Sequence, residues 1–249
     1  FENNPNSKTD VNLRRAWELN YQNGIPGLKT QLKVEDFQTL DKTIKDADKP
    51  YARLPQFLLN YVTGDPQGLQ YEFNNDTAYF KKSINDDSAL ESSGTRIYNQ
   101  FAVRYNYITP SWFYAIPEVS VRSINTFYDQ DSKASIGLSK SDDLEKSVVV
   151  PQFTLATGVT FEKDGKYLHS ISPRAFYAYS PYKKQDDYPN FDSTAASLNY
   201  DQLFNPKRFY GHYRLEDNNF LSLGLSYSLF GTTGLEKLRT SIGQSFYFD

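Results

Sequence analysis

The chain has 249 residues, 27 Lys plus Arg against 30 Asp plus Glu, and a net charge of −3, which excludes a basic nucleic-acid surface or a polybasic membrane arm as its main feature. No apolar run approaches the roughly 20 residues that a membrane-spanning helix needs, and mean hydropathy is −0.65, the profile of a soluble domain. Cysteine is absent, which removes disulfide, zinc-finger and thiol chemistry, whereas aromatic residues reach 16% with 20 Tyr and 18 Phe.

Period-two alternation runs through the chain, and it predicts about ten strands. At 12–21, Leu13, Trp17, Leu19 and Tyr21 oppose Asn12, Arg14, Glu18 and Asn20. Segments at 28–38 and 53–63 follow, and at 68–81 Leu69, Tyr71, Phe73 and Tyr79 oppose Gln70, Glu72, Asn74 and Asp76. At 96–108, Phe101, Val103 and Tyr105 oppose Gln100, Arg104 and Asn106. Strands at 113–127, 147–161 and 167–181 come next, with Phe153, Leu155, Val159 and Phe161 facing away from Gln152, Thr154, Gly158 and Glu162. The clearest case is 219–230, where Leu221, Leu223, Leu225, Tyr227 and Leu229 alternate with Ser222, Gly224, Ser226 and Ser228; 237–248 repeats it. Most of these reach the roughly 9–11 residues that a tilted strand needs to cross a bilayer, against about 5–6 for globular strands.

The connections alternate short and long. Short turns at 22–27, 64–67, 109–112, 163–166 and 231–235 use hairpin chemistry such as Asn23-Gly24, Asp65-Pro66 and Asp164-Gly165. Long polar stretches lie at 38–52, 82–95, 128–146 and 182–218. An up-and-down meander then carries turns at one end and loops at the other, the habit of outer-membrane barrels. Tyr21, Tyr61, Trp112, Phe113, Phe161, Tyr167 and Phe248 stand at segment ends, where an interfacial girdle would place them. Alternation alone leaves open a soluble β-sandwich with its apolar face turned inward.

Four prolines share a hydrophobic-or-small, Pro, polar pattern early in a strand: Pro55, Pro117, Pro151 and Pro173. Each either loosens one rung near a barrel rim or is simply tolerated at a strand start. The polar face collects Arg96, Arg104, Arg122, Arg174 and Arg239 with Glu118 and Gln152. In a membrane barrel this face lines the lumen, because a cation on the lipid face at mid-depth costs about 2–4 kcal/mol. Such a lining suits hydrated, sugar- or phosphate-bearing cargo, and equally a water-filled porin. Catalytic chemistry finds little support: the two histidines are His169 on a strand, among apolar and aromatic neighbours, and His212 in the longest loop, without an evident partner. No phosphate loop, metalloprotease motif or nucleophile elbow stands in a useful context. No cofactor or metal site is expected, and the acidic pairs in the loops lack the spacing of a calcium loop.

From Ser172 onward a longer signature emerges. Pro173-Arg174-Ala175-Phe176-Tyr177 leads into Pro181-Tyr182-Lys183-Lys184-Gln185-Asp186-Asp187-Tyr188-Pro189-Asn190-Phe191-Asp192-Ser193, and the likeness continues through Gly211, Arg214 and Leu215 to Ile242-Gly243-Gln244-Ser245-Phe246. This resembles the LPS-assembly protein (LptD) family of the Gram-negative outer membrane, whose members read approximately P-R-x-x-Y-x-Y-x-P-Y-x-x-Q-D-x-x-P-N-[FY]-D-S. The resemblance implies an all-β fold: an antiparallel transmembrane barrel wall of about ten up-and-down strands within a barrel of about 26. It implies that 1–249 is a segment of the C-terminal barrel domain, with the periplasmic jelly-roll domain and the late strands elsewhere. The absence of methionine, even at position 1, fits a processed or excised piece. The implied function is non-enzymatic insertion of lipopolysaccharide into the outer leaflet. The implied partners are lipopolysaccharide, a plug lipoprotein (LptE) and a periplasmic bridge protein. A passive porin-like or soluble binding barrel and a ten-stranded outer-membrane hydrolase are the alternatives. The family's usual G-x-D-R-[IL] departs here to Tyr213 before Arg214-Leu215, the family's cysteines are absent, and the gate strands are not expected in this piece.

Overall fold

In the computed structural model, residues 11–41, 43–82, 93–110, 112–129, 144–185, 191–197, 199–212 and 214–248 are described. They form one antiparallel meander whose main path has ten strands. In order these are β1 (Asn12–Tyr21), β2 (Leu28–Thr39), β3 (Ala52–Gly64), β4 (Leu69–Lys81) and β5 (Gly94–Tyr105). A short β6 (Tyr107–Ile108) precedes β7 (Phe113–Tyr128) and β8 (Glu145–Val159), and a short β9 (Phe161–Lys163) precedes β10 (Leu168–Ser180). Two-residue strands β11 (Thr194–Ala195) and β12 (Phe209–Tyr210) pair inside the longest connection, before β13 (Asn218–Phe230) and β14 (Glu236–Tyr247). The ten strands expected from alternation are these ten. Their 13-residue members extend about 43 Å at ~3.3 Å per residue, which at a 45° tilt projects to about the 30 Å of a bilayer core.

Local chemistry sets the register. In the β1–β2 turn, Asn23 and Gly27 take positive φ, and a Cβ on Gly27 would lie 1.8 Å from the Val62 carbonyl oxygen. At the β3–β4 turn the Asp65 carboxylate accepts from the Gln67 N–H at 2.9 Å, while the Asp65 N–H donates to the Leu69 carbonyl at 2.8 Å. The four early-strand prolines lie where pairing is interrupted on at least one side. Pro55 sits in the register shift between Arg53 and Gln56. Pro117 lies between the last β5 rung at Glu118 and the β6 rungs at Ala115 and Tyr114. Pro173 lies between the β8 and β9 rungs of β10, and Pro151 lies beyond the β8–β10 ladder, which begins at Phe153. A residue without an N–H is accommodated there because no ladder bond is lost.

The sheet is open among the described residues, with β1 paired only to β2 and β14 only to β13. Its two faces are inverted relative to a soluble domain. Trp17, Phe101, Val119, Val121, Val149, Leu223 and Ile242 are exposed, whereas the largest fully buried side chains are Arg96 and Arg122. A soluble sandwich would hide the first set and hydrate the second. What covers the arginines is the chain itself. The stretch 182–218, expected as an outer loop, starts at the loop end, but its described residues fold back over the polar face. The physical reason is charge: buried guanidiniums need carboxylates, and this segment supplies them. It also closes three small apolar clusters. Leu215 packs with Tyr98, Ile124, Val148 and Val150; Phe191 with Ala78, Phe80 and Tyr128; Phe204 against Phe176, Ala178 and Phe220. The loop half of the polar face is therefore partly apolar.

Candidate functional site

The polar face divides into two tiers. In the turn half, Arg104 on β5 lies between two strand carboxylates, Glu72 on β4 and Glu118 on β7, the latter at 3.4 Å. Strand amides extend this tier, with Asn60 donating to Asn74 at 2.6 Å and Asn74 donating to Glu72 at 2.8 Å. Nearer the loops, Glu35 on β2 is held by Arg14, by Lys33 at 2.7 Å and by Arg53 at 2.6 Å.

Further along, the loop half is neutralised by the inward segment. Asp192 receives two hydrogen bonds from Arg96, at 2.6 and 2.8 Å, and lies 3.7 Å from Arg53. Arg96 also faces Asp76 at 3.5 Å. Arg122 lies 3.4 Å from the Glu216 carboxylate and donates to the Glu216 carbonyl at 3.3 Å, an oxygen that the Ser180 hydroxyl also reaches at 2.7 Å. Gln185 clasps Leu215 twice, its Nε2 donating to the carbonyl at 2.9 Å and its Oε1 accepting the N–H at 2.8 Å. Arg174 donates to Asp201 at 2.8 Å and lies over the rings of Phe204 and Tyr200, at 3.6 and 4.3 Å from their centroids.

The short 3-10 turn Asp201–Phe204 rests on a glycine seat. Gly224 and Gly243 pair across β13 and β14, and a Cβ on Gly224 would come within 2.5 Å of Phe204 Cζ and 2.7 Å of the Tyr200 hydroxyl. Beside the seat, the Ser222 hydroxyl donates to the Leu203 carbonyl at 2.5 Å. Gly224→Val is expected to weaken docking of this turn by about 1–3 kcal/mol through overpacking. Greater mobility of a nitroxide at Asn205 reads the effect, and unchanged mobility counts against the seat.

His212 stacks on Tyr98 with centroids 3.7 Å apart, and its Nε2 lies 3.6 Å from Asp76. Burial, with the Arg96 and Lys207 charges facing it, pushes the imidazole down to about 3. Burial alone would raise the Asp192 carboxyl; the Arg96 hydrogen bond and the Arg96 and Arg53 charges outweigh it and hold the group below its ordinary range. In both cases the undocked segment takes up protons before the docked one. Docking is therefore expected to be strongest above about pH 6.5 and to weaken as pH falls toward 3, with Asp192 adding its share below about pH 4. The same nitroxide tracks this profile, and His212→Phe should flatten its upper part.

Between this tier and β1–β5 lies a cleft of about 590 Å³, lined by amides such as Asn20, Asn60, Asn74 and Gln100, with Lys207 and His212 at its loop side. Among the described residues no cluster of three or more His, Cys, Asp or Glu could hold a metal ion.

The residues singled out by sequence fall as follows. Arg96, Arg104, Glu118, Arg122, Gln152 and Arg174 share the polar face, and Gln152 is buried. Arg239 is on the same face but exposed at the β14 edge, paired with Glu236 at 2.6 Å. Of the motif loop, Gln185 and Asp192 anchor the segment, and Gly211 takes φ +86 against the Asp192 carbonyl. Tyr182 is exposed beside Pro181, and Ser193 and Arg214 line a small hollow with Glu216. Asp186, Asp187, Pro189 and Asn190 lie outside the described residues. Sequence reading gave no site role to Asp201, Glu216, Tyr200 or Phe204, although Phe204 and Glu216 fall within the stretches that resemble the family. The signal available for them was the excess of arginine on the polar face, which demands carboxylates from elsewhere.

An antiparallel meander with arginines inside, aliphatic side chains outside, turns at one end and loops at the other is a β-barrel wall with an inward-folded segment. The chain belongs to the family described as LPS transport system D, whose model matches residues 1–249. It is 77% identical over 249 residues to the LPS-assembly protein LptD of Acinetobacter baumannii and 72% identical over 250 residues to that of Acinetobacter baylyi, covering all of this chain in each case. Against LptD of Neisseria meningitidis serogroup B, identity is 32% over 263 residues. The chain spans about 30% of the length of these relatives.

Proposed function

We propose that the chain is a contiguous arc of the transmembrane barrel of an outer-membrane lipopolysaccharide translocon, without covalent chemistry of its own. In this reading 1–249 belongs to a C-terminal barrel domain, and the jelly-roll domain and further strands lie in other parts of the protein. The observation that carries the reading is the family match over the whole chain. Two structural features support it. The exposed aliphatic face is suited to lipid, since an all-strand wall leaves no lipid-facing polar backbone when both edges are paired. The open edges β1 and β14 offer unpaired ladders to neighbouring strands. The polar face would line the lumen along which the hydrophilic part of lipopolysaccharide moves, with a plug lipoprotein and a periplasmic bridge protein as partners.

The inward-folded segment also favours a second reading, a porin-like conduit constricted by its own loop. Depletion of the protein in a Gram-negative host separates them. Translocation expects newly made lipopolysaccharide to stop reaching the surface, whereas a conduit expects intact surface lipopolysaccharide and slower uptake of small solutes.

A further inference from the structure

The two tiers of the polar face are neutralised by different means, and the difference is informative. Arg104 is balanced by Glu72 and Glu118, both fixed in strands. In the ion pairs of the described residues, by contrast, Arg122 meets a carboxylate only in Glu216 and Arg174 only in Asp201, both carried by the inward segment. Arg96 takes one partner of each kind, Asp76 from β4 and Asp192 from the segment. The Nε donors of Arg96, Arg122 and Arg174 are buried and lack hydrogen-bond partners, as do those of Arg53 and Arg104. Part of each guanidinium is thus unused in both tiers, and the difference between them lies in where the carboxylates are carried. Along the strands these arginines are spread out. Arg96 pairs with Thr126 and Arg122 with Gln100, four residues apart, or about 14 Å at ~3.4 Å per residue.

A permanent constriction would not need such an arrangement, because strand carboxylates could neutralise the arginines as they do Arg104. Carboxylates carried by a connecting segment rather than by the wall present the arginines with what an anionic ligand would. We propose that Arg96, Arg122 and Arg174 form an anion ladder for an extended glycan bearing phosphate or carboxylate groups, and that Asp192, Glu216 and Asp201 occupy it as an internal competitor until such a glycan displaces the segment. Guanidinium suits this exchange, since its fork donates to carboxylate and phosphate oxygens alike. The glycine seat under Tyr200 and Phe204 holds that part of the segment by surface contact, while Leu215 and Phe191 add apolar contacts that a displacing glycan would also have to overcome. The assignment of lipopolysaccharide as the natural ligand rests on the translocon reading; the ladder itself does not.

The test uses the full-length protein in detergent and titrates it calorimetrically with a sulfated heparin hexasaccharide, with uncharged maltohexaose and orthophosphate as comparison arms. The variant Asp192→Asn/Asp201→Asn/Glu216→Gln, which keeps the arginines but removes the competitor, is expected to bind the hexasaccharide at least ten-fold more tightly than the unaltered protein. Maltohexaose should not gain, and orthophosphate should gain less than three-fold. Adding Arg122→Gln and Arg174→Gln should abolish the gain. If the triple variant does not fold, Asp201→Asn alone serves, because that carboxylate is 87% exposed, and about a three-fold gain is expected. No gain, an equal gain for maltohexaose, or a gain that survives loss of the arginines overturns the ladder. None of these outcomes bears on whether depletion blocks surface lipopolysaccharide, so the two ideas fail separately.

Discussion

Asp192→Ala is expected to weaken docking of the inward segment by about 3–5 kcal/mol, the loss that follows when one partner of a buried ion pair is removed. The Asp192 and Arg96 side chains are 5% and 2% exposed, so neither can recover its hydration in place. Deleting the carboxylate leaves Arg96 with only the more distant Asp76 and returns Arg53 to Glu35 alone. The cost is then relieved by opening the segment to water. Native-state hydrogen exchange of amides in 191–217 measures it directly, as a fall in opening free energy. Asp201→Ala is the internal comparison, because its partner Arg174 keeps its aromatic contacts and an exposed pair contributes about 0–1 kcal/mol. Equal losses from the two substitutions would falsify the assignment of Asp192 as the principal anchor.

Leu223→Arg should destabilise the protein in a bilayer by about 2–4 kcal/mol, the cost of a cation on the lipid face of a barrel near mid-depth. Leu223 is central in β13, exposed, and flanked on its rung by Ala175 and Gln244. The matched change on the other face is Gln31→Arg, next to Glu18 and Asn20, which is expected to alter stability by less than about 1 kcal/mol. Urea unfolding of the full-length protein in lipid vesicles reads both. If the two arginines cost the same, the exposed aliphatic face does not contact lipid.

Much of the fold was legible because strand periodicity is local. Leu221 to Leu229 alternate with serine and glycine, so β13 could be placed to within a residue, and β1, β4 and β7 likewise. Asn23, Asp65 and Asp164 marked hairpin turns through the same short-range chemistry. The split of the fifth and seventh segments into β5–β6 and β8–β9 was not visible. It arises where Asn106 and Thr160 leave the ladder, and no alternation marks it. Alternation was also least informative at Tyr98, Ile124 and Val150. These apolar residues lie on the polar face because Leu215 covers them.

The candidate site was legible by halves. Strand pattern put Arg96, Arg122 and Arg174 on one face. Their carboxylates stand 96, 94 and 27 residues further along, in a stretch with no periodicity to report where it folds. The sequence by itself determined the strands, the turns and the separation of polar from apolar side chains, since each depends on residues two to five positions apart. Only the tertiary structure decided that the longest connection returns across the polar face, because that outcome depends on bringing distant opposite charges together out of water.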